Sequence, residues 1–372
     1  MPSPALPGPA CGRMPDMTGK GNTAKLHHYV PQGYLRGFAS EKGRIVAVPL
    51  DRSRKSFTSS VKNVAAQTHF HTLDDLEEPD EFEKALSGME GEAISIIGKL
   101  EGNEFPLSES DRWTFSYYMA LQSVRGPDTR KTMEHLRAKF IRVEIGAGGR
   151  KNVGNWARKN LGFDPSPEQA DRIWAEATQP GGPPISFSNI AHIQHMVDTA
   201  EKLTPYFATR PWSLVQFEQR SLITSDAPVN LIPNPKDEPS EGVGFMTAWG
   251  ITFPLTRKLG LLMSDPMVMV DGLESDDPRV QKIRGAVLRG EADRIQRGTT
   301  AMEKLFNEHL AHSAKEYVYH HPEDAKFVPD GLPGPNLINM TAGGFMDAEF
   351  DGGPWFGKLE TPEVRDEDFD RT

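Results

Sequence analysis

Apolar residues recur every third or fourth position through several long stretches of the chain, and short apolar runs bounded by turn residues lie between them. From Asp80 the helical period is carried by Phe82, Leu86, Met89, Ala93, Ile96, Ile97 and Leu100, with Pro79 at the helix start, where its missing N–H costs nothing. A second helix is predicted behind Ser108, with Asp111 three residues on. Its stripe is Trp113, Tyr117, Ala120, Leu121 and Val124, and Gly126-Pro127 breaks it. Further helices are predicted over Pro31 to Ala39, Asp128 to Ile145, Ser166 to Ala177 and Ser188 to Leu203. A long late helix is predicted from about Asp277 to Ser313, weakened by Gly285, Gly290 and Gly298. "GRIVAVPLD", "PWSLVQFE", "SLITSD", "GITFPLT", "GLLMSDP" and "EYVYHHP" read as strands. "DRSRKSFTSSVKN" adds a paired one, and "AAQTHFHTL" extends toward another.

Strands, helices, strands, helix and strand therefore follow one another in blocks. That order predicts an α+β fold: a mixed or antiparallel sheet packed with a largely helical middle segment and a long late helix. Residues 1–24, rich in proline and glycine, read as a disordered arm. Residues 25–321 read as a single domain with a helical, basic insert around 128–205, and 322–372 as an acidic Gly/Pro-rich tail.

Composition narrows the function classes. The chain has 372 residues, 37% hydrophobic and 25% charged, the profile of a globular protein. Its one cysteine, Cys11, allows no intrachain disulfide framework and no cysteine-based metal site, which fits a cytoplasmic location. No apolar run approaches the ~20 residues that span a bilayer. A net charge of -10 disfavours nucleic acid as a partner, although ten Lys/Arg stand against three acids between Arg125 and Lys159. The segment from Thr341 reverses this, with nine acids against three bases. Two solvated faces of opposite sign are the plainer reading of that contrast.

Three stretches carry candidate chemistry. In "KLHHYVPQGYLRGFAS", Pro31 occupies the first helical position, so His28 lies in the turn ahead of a helix N-terminus. The positive end of the helix dipole disfavours imidazolium there, making His28 a neutral base, ligand or cap. It is expected to be buried or half-buried, neutral at pH 7, and hydrogen-bonded to a side chain of a distant segment around Asp226 or Arg125. Gln32 and Arg36 follow at four-residue steps, while Leu35 and Phe38 face a core. In "SLITSDAPVNLIP", Ser225 and Asp226 end a strand before Pro228. The carboxylate either closes an Asx-turn or projects into a cleft. Ser225 lacks a nucleophile elbow. In "LQSVRGP", Gln122 and Arg125 share a helix face, and Arg125 can fix Glu90 or Asp226 or grip a phosphate.

Weaker signals are the strand-like His69-Phe70-His71, which places two imidazoles on one side, and the His192/His195 pair. His320-His321 reads as a strand end, and Asn307 is a polar residue amid Leu305, Phe306 and Leu310. Two imidazoles make no metal site, so a divalent metal is possible but not indicated by any ligand motif, and "GAGG" is no phosphate loop.

The ordered set "HHYVPQGYLRGFAS", "LSGMEGEAISII", "LQSVRGP", "ITSDAPV", "FPLTRKLGLLMSD" and "NEHLAHSAKEYVYHH" resembles the bacterial family known as domain of unknown function 4238, over about residues 25–321. The resemblance implies that His28, Pro31, Gln32, Glu90, Gln122, Arg125, Ser225, Asp226, Pro228 and Asn307 hold the family's motif positions. It implies no reaction and no cofactor. Two expectations stand together. One is a hydrolase, directed at a phosphodiester, with catalytic His28, Glu90, Arg125 and Asp226 and with Gln32, Gln122, Ser225 and Asn307 as binding residues. The other is a non-catalytic ligand- or partner-binding module of a defence or stress process.

Overall fold

The computed structural model describes residues 26–72, 81–236, 242–338, 350 and 352–353. The expected arm at 1–24 and most of the acidic segment lie outside the described residues. In chain order the elements are β1 (Leu26–His28), α1 (Gln32–Leu35), β2 (Arg44–Pro49), β3 (Phe57–Ser60), β4 (Ala66–Thr68), α2 (Glu81–Glu101) and α3 (Glu109–Val124). Next come α4 (Pro127–Gly148), α5 (Val153–Leu161), α6 (Pro167–Thr178) and α7 (Asn189–Ala208). Then β5 (Trp212–Gln216), β6 (Thr224–Ser225), β7 (Asn230–Ile232), β8 (Gly250–Thr256), β9 (Leu259–Ser264), α8 (Pro278–Leu288), β10 (Arg294–Arg297), α9 (Thr300–Ser313) and β11 (Tyr317–His320) complete the order. The fold is α+β, as the blocks of periodicity predict.

Three sheets form among the described residues. A mixed one has the order β10-β5-β9-β8-β7, with only β10 and β5 parallel. An antiparallel one has the order β3-β2-β11-β6, and β1 pairs antiparallel with β4. Every residue of β8 is buried, so both faces of the mixed sheet are covered at that strand. On one face Phe253 meets Phe115 and Tyr118 of α3 and stacks on Tyr34, with centroids 5.3 Å apart. Its neighbour Pro254 points the other way and pairs with Gly260. There a side chain would run into the ring of Phe306 from α9, at 2.7 Å. The Tyr34 hydroxyl donates to the Pro254 carbonyl (2.7 Å) and pairs with Thr224 Oγ1 (2.8 Å), pinning the first helix to both larger sheets.

Several elements depart from their predicted bounds. Pro31 is the N-cap of α1, not its first residue. The expected long helix is two helices with β10 between them. Gly290 takes φ +74° behind α8, and Gly298 has no room for a side chain beside Phe217. The strand expected through His71 ends at Thr68. His69 adopts φ 55°, leaving it exposed and carrying Phe70 and His71 inward, so the two imidazoles do not share a side.

Packing continues past the boundary expected at 321. Asp324 takes a two-pronged pair from Arg257 (both 2.9 Å), and Phe327 is buried with Leu50, Ile223 and Leu310. Some basic residues of α4 turn inward, while Arg137 and, beyond that helix, Arg150, Lys151, Arg158 and Lys159 are exposed. Arg142 Nε donates to the Gln179 carbonyl (3.1 Å), Arg130 Nη2 to the Phe70 carbonyl (3.2 Å) and Asn189 Oδ1 (3.0 Å), and Arg150 pairs with Asp171 (2.6 Å).

Candidate histidine–carboxylate centre

Four segments meet around β1. The strand is only three residues long, and the alternation of its side chains sends His27 and His28 to opposite sides. The turn after β4 brings His71 back beside it. The His71 backbone N–H donates to His27 Nδ1 (2.8 Å), and the two rings stack with centroids 5.7 Å apart and planes 11° from parallel. Helix α2 passes across them with Glu83 and Glu90 seven residues apart, hence on one face. The His71 Nδ1–H donates to Glu83 Oε2 at 3.0 Å. Arg125, the C-cap of α3, is fully buried; it donates from Nη1 to Glu90 Oε1 (2.8 Å) and from Nη2 to the His28 carbonyl (2.6 Å).

Burial dominates the protonation of these groups. It pushes the His71 pKa down to about 4 against the opposing pull of the Glu83 hydrogen bond, and Arg125 lowers it further. His28 is also lowered, first by burial, with the nearby Lys62 backbone and the Glu83 charge pulling the other way. Burial on its own raises Glu83, yet the His71 hydrogen bond and the surrounding positive charge leave it below the usual carboxylate value. At neutral pH the centre therefore holds neutral His28 and His71 rings beside an ionised Glu83. His192 of α7 packs edge-on to Phe70 (5.4 Å) and is lowered to about 3 by burial, then by Arg130 and His71.

The centre contains buried polar atoms with no hydrogen-bond partner among the described residues: His28 Nε2, His71 Nε2, both ring nitrogens of His192, and Nε of Arg125 and Arg130. Native interiors carry few such atoms. His71 is the most telling of them. With Nδ1–H held by Glu83, the proton is fixed on that nitrogen, and Nε2 is left with a free lone pair. This is the geometry of a carboxylate-oriented base.

The same residues can be tested against a metal. Ligand atoms of His27, His71 and Glu83 lie within 4.8 Å of one another, the only such group among the described residues. However, His27 Nδ1 already accepts the His71 amide, so the ring proton sits on Nε2. A ligating histidine needs the reverse, with its other nitrogen donating to an acceptor. His27 is therefore a poor third ligand. His71 and Glu83 would be left as two, and two do not make a site.

The remaining sequence candidates fall in different places. His28 is buried, as expected, but its ring takes a local donor, Gln32 Nε2 (3.4 Å), and it is its carbonyl that Arg125 holds. Asp226 belongs to another corner. Its Oδ1 accepts from Lys315 N–H (2.8 Å), and its Oδ2 from Glu316 N–H (2.7 Å) and Tyr317 N–H (2.9 Å), fastening the strand that follows α9. Burial raises Asp226 to about 6, against the pull of those donors. Ser225 Oγ accepts from Ala227 N–H (3.1 Å), and the Pro228 carbonyl from Asn230 Nδ2 (3.1 Å). Asn307 accepts from Ile223 N–H (3.1 Å) and donates to Glu303, Ser221 and Phe327. Gln122 lines a cleft with Asp226 instead of joining Arg125 at the centre. Sequence patterns passed over His27 and Glu83, and gave His71 and His192 only as weaker signals, in His69-Phe70-His71 and in the His192/His195 pair.

Residues 26–324 match the family described as Protein of unknown function (DUF4238). The chain belongs to this family. Comparison with curated proteins and with solved structures gives no significant match. The centre lies wholly within the matched span of this DUF4238 chain, from His27 to His192. Among its described residues no helix is long and apolar enough to cross a membrane.

Proposed function

We propose that the chain is a hydrolase whose reacting water is deprotonated by His71, with Glu83 orienting the ring. The carrying observation is the His71 tautomer: Nδ1–H on an ionised carboxylate, Nε2 free, and the ring neutral at pH 7. A base of this kind takes a proton from water as the water attacks, and Glu83 then stabilises the imidazolium that forms. Arg125 and Arg130 flank the centre, each with an unpartnered Nε, and this supports a substrate whose transition state gathers negative charge, such as a phosphodiester. In this reading His71 and Glu83 take the catalytic roles expected from the sequence for His28, Glu90, Arg125 and Asp226. Arg125 and Glu90 become the frame behind it.

The experiment is a hydrolysis screen with bis(p-nitrophenyl) phosphate and p-nitrophenyl carboxylic esters. His71→Gln should lower kcat by about 10²–10⁴, the range for loss of a general base. Glu83→Gln should lower it less and leave KM unchanged. Activity retained in His71→Gln, or none in the parent chain on either class, overturns the reading. A non-catalytic ligand- or partner-binding role is favoured by one observation. Arg125, Asp226 and Asn307 all direct polar atoms at the backbone of other segments, as residues of a rigid scaffold do.

A further inference from the structure

Gln122 is the one amide of α3 that faces no partner. It is 5% exposed, and neither Oε1 nor Nε2 has a hydrogen-bond partner among the described residues. A buried amide with both ends unused is costly, so a native interior keeps one where something outside the chain meets it. Gln122 lines a cleft of about 270 Å³ between the start of α4, the β6–β7 corner and the end of α9. Asp128 and Asp226 line the same cleft, and the charge of Asp128 is felt at Asp226. Lys315 also lines it, so its formal charge is one negative. The opposite wall is apolar, with Val229, Leu231 and Phe245.

We infer that this cleft binds a small organic cation that has a hydrogen-bond acceptor next to its charge and an apolar body. The two carboxylates favour the cationic head, and Gln122 Oε1 accepts from it. Gln122 Nε2 donates to the neighbouring acceptor, so both orphaned ends are used by one ligand. The apolar body lies against Leu231 and Phe245. An anion would meet the two carboxylates, and a purely apolar ligand would leave the amide as unsatisfied as before. This inference does not rest on the hydrolase reading, because neither His71 nor Glu83 lines the cleft.

The test is calorimetric titration of the full chain with leucinamide, which carries an ammonium beside a carbonyl and an isobutyl body. 4-Methylpentanamide, the same molecule without the ammonium, is the comparison. Leucinamide should bind once per chain. Both 4-methylpentanamide on the parent and leucinamide on Gln122→Met should bind at least tenfold more weakly. Methionine closely matches the volume of glutamine, and an unchanged melting temperature checks that this variant folds. Lys315→Ala should tighten leucinamide binding by removing a like charge. No saturable heat from leucinamide, equal affinity for the two amides, unchanged binding by a folded Gln122→Met, or weaker binding by Lys315→Ala each overturns the inference.

Discussion

Asn307 engages four groups with one side chain, and three of them lie on other segments: Ile223 N–H, the Ser221 carbonyl and the Phe327 carbonyl. Asn307→Ala leaves those groups buried and unpaired. It is expected to cost about 3 kcal/mol, at one to a few kcal/mol per stranded group, and urea unfolding measures it. The histidines give the centre an acid limit. In the unfolded chain they protonate near 6.5, whereas folded His71 resists until about 4 and His192 until about 3. Between those values the unfolded state binds more protons, so stability falls as pH falls from about 6.5. Asp226, raised to about 6, acts the other way, since the folded state binds its proton first. His192→Leu should make the decline in melting temperature from pH 6.5 to 5 shallower without lowering it at pH 7, because an imidazole with two unpartnered nitrogens is replaced by apolar volume. A steeper decline would contradict this. At this scale the sequence revealed polar residues at helix and strand ends but not their partners. Asp226 reads alike as a catalytic carboxylate and as a backbone fastener until the chain after α9 is seen passing over it. His71 was hidden by the turn at His69, since a strand through 71 would have placed the two imidazoles together.

Helices and strands are joined by buried guanidinium groups more than by loops. Arg125 ties α3 to α2 and β1. Arg112, one turn into the same helix, donates to Asp293 Oδ2 (2.6 Å), to the Ala208 carbonyl (2.8 Å) and to the Arg210 carbonyl, and lies 4.2 Å over the Trp212 ring. Asp293 in turn accepts from Trp212 N–H (2.9 Å), so one ion pair joins α3, the end of α7, β5 and the approach to β10. Both side chains are fully buried. Asp293→Ala should therefore cost about 3–5 kcal/mol, as for a buried pair broken on one side. Exchanging both partners for apolar residues of similar size (Arg112→Met with Asp293→Leu) should recover part of it in denaturant melts. Periodicity made α2, α3, α4 and α7 legible, because each shows a continuous buried stripe. It misjudged the stretch 277–313, where helix-compatible residues continue through β10 and only Gly290 and Gly298 mark the interruption.

Across the whole molecule, the net charge of -10 opposes a nucleic-acid-binding face, and Arg130 and Arg142 of α4 are engaged with backbone and amide groups of neighbouring segments. Fluorescence anisotropy with a labelled random-sequence duplex at 150 mM salt is expected to show no saturable binding, and binding that weakens steeply with salt would refute this. The block order of elements also fixes how the chain is tied together. In the four-stranded sheet, β11 sits between β2 from the start of the chain and β6, matching Tyr319 to Ala47 on one side and to Thr224 on the other. During synthesis the β2–β3 hairpin thus waits for about 260 more residues, roughly 13–52 s at ribosomal speeds, before its partner emerges. For that interval two strand edges stand open, each able to pair with another nascent chain. A chaperone that shelters β2 on the ribosome would then govern how much of this protein reaches its native form, ahead of any property of the finished fold.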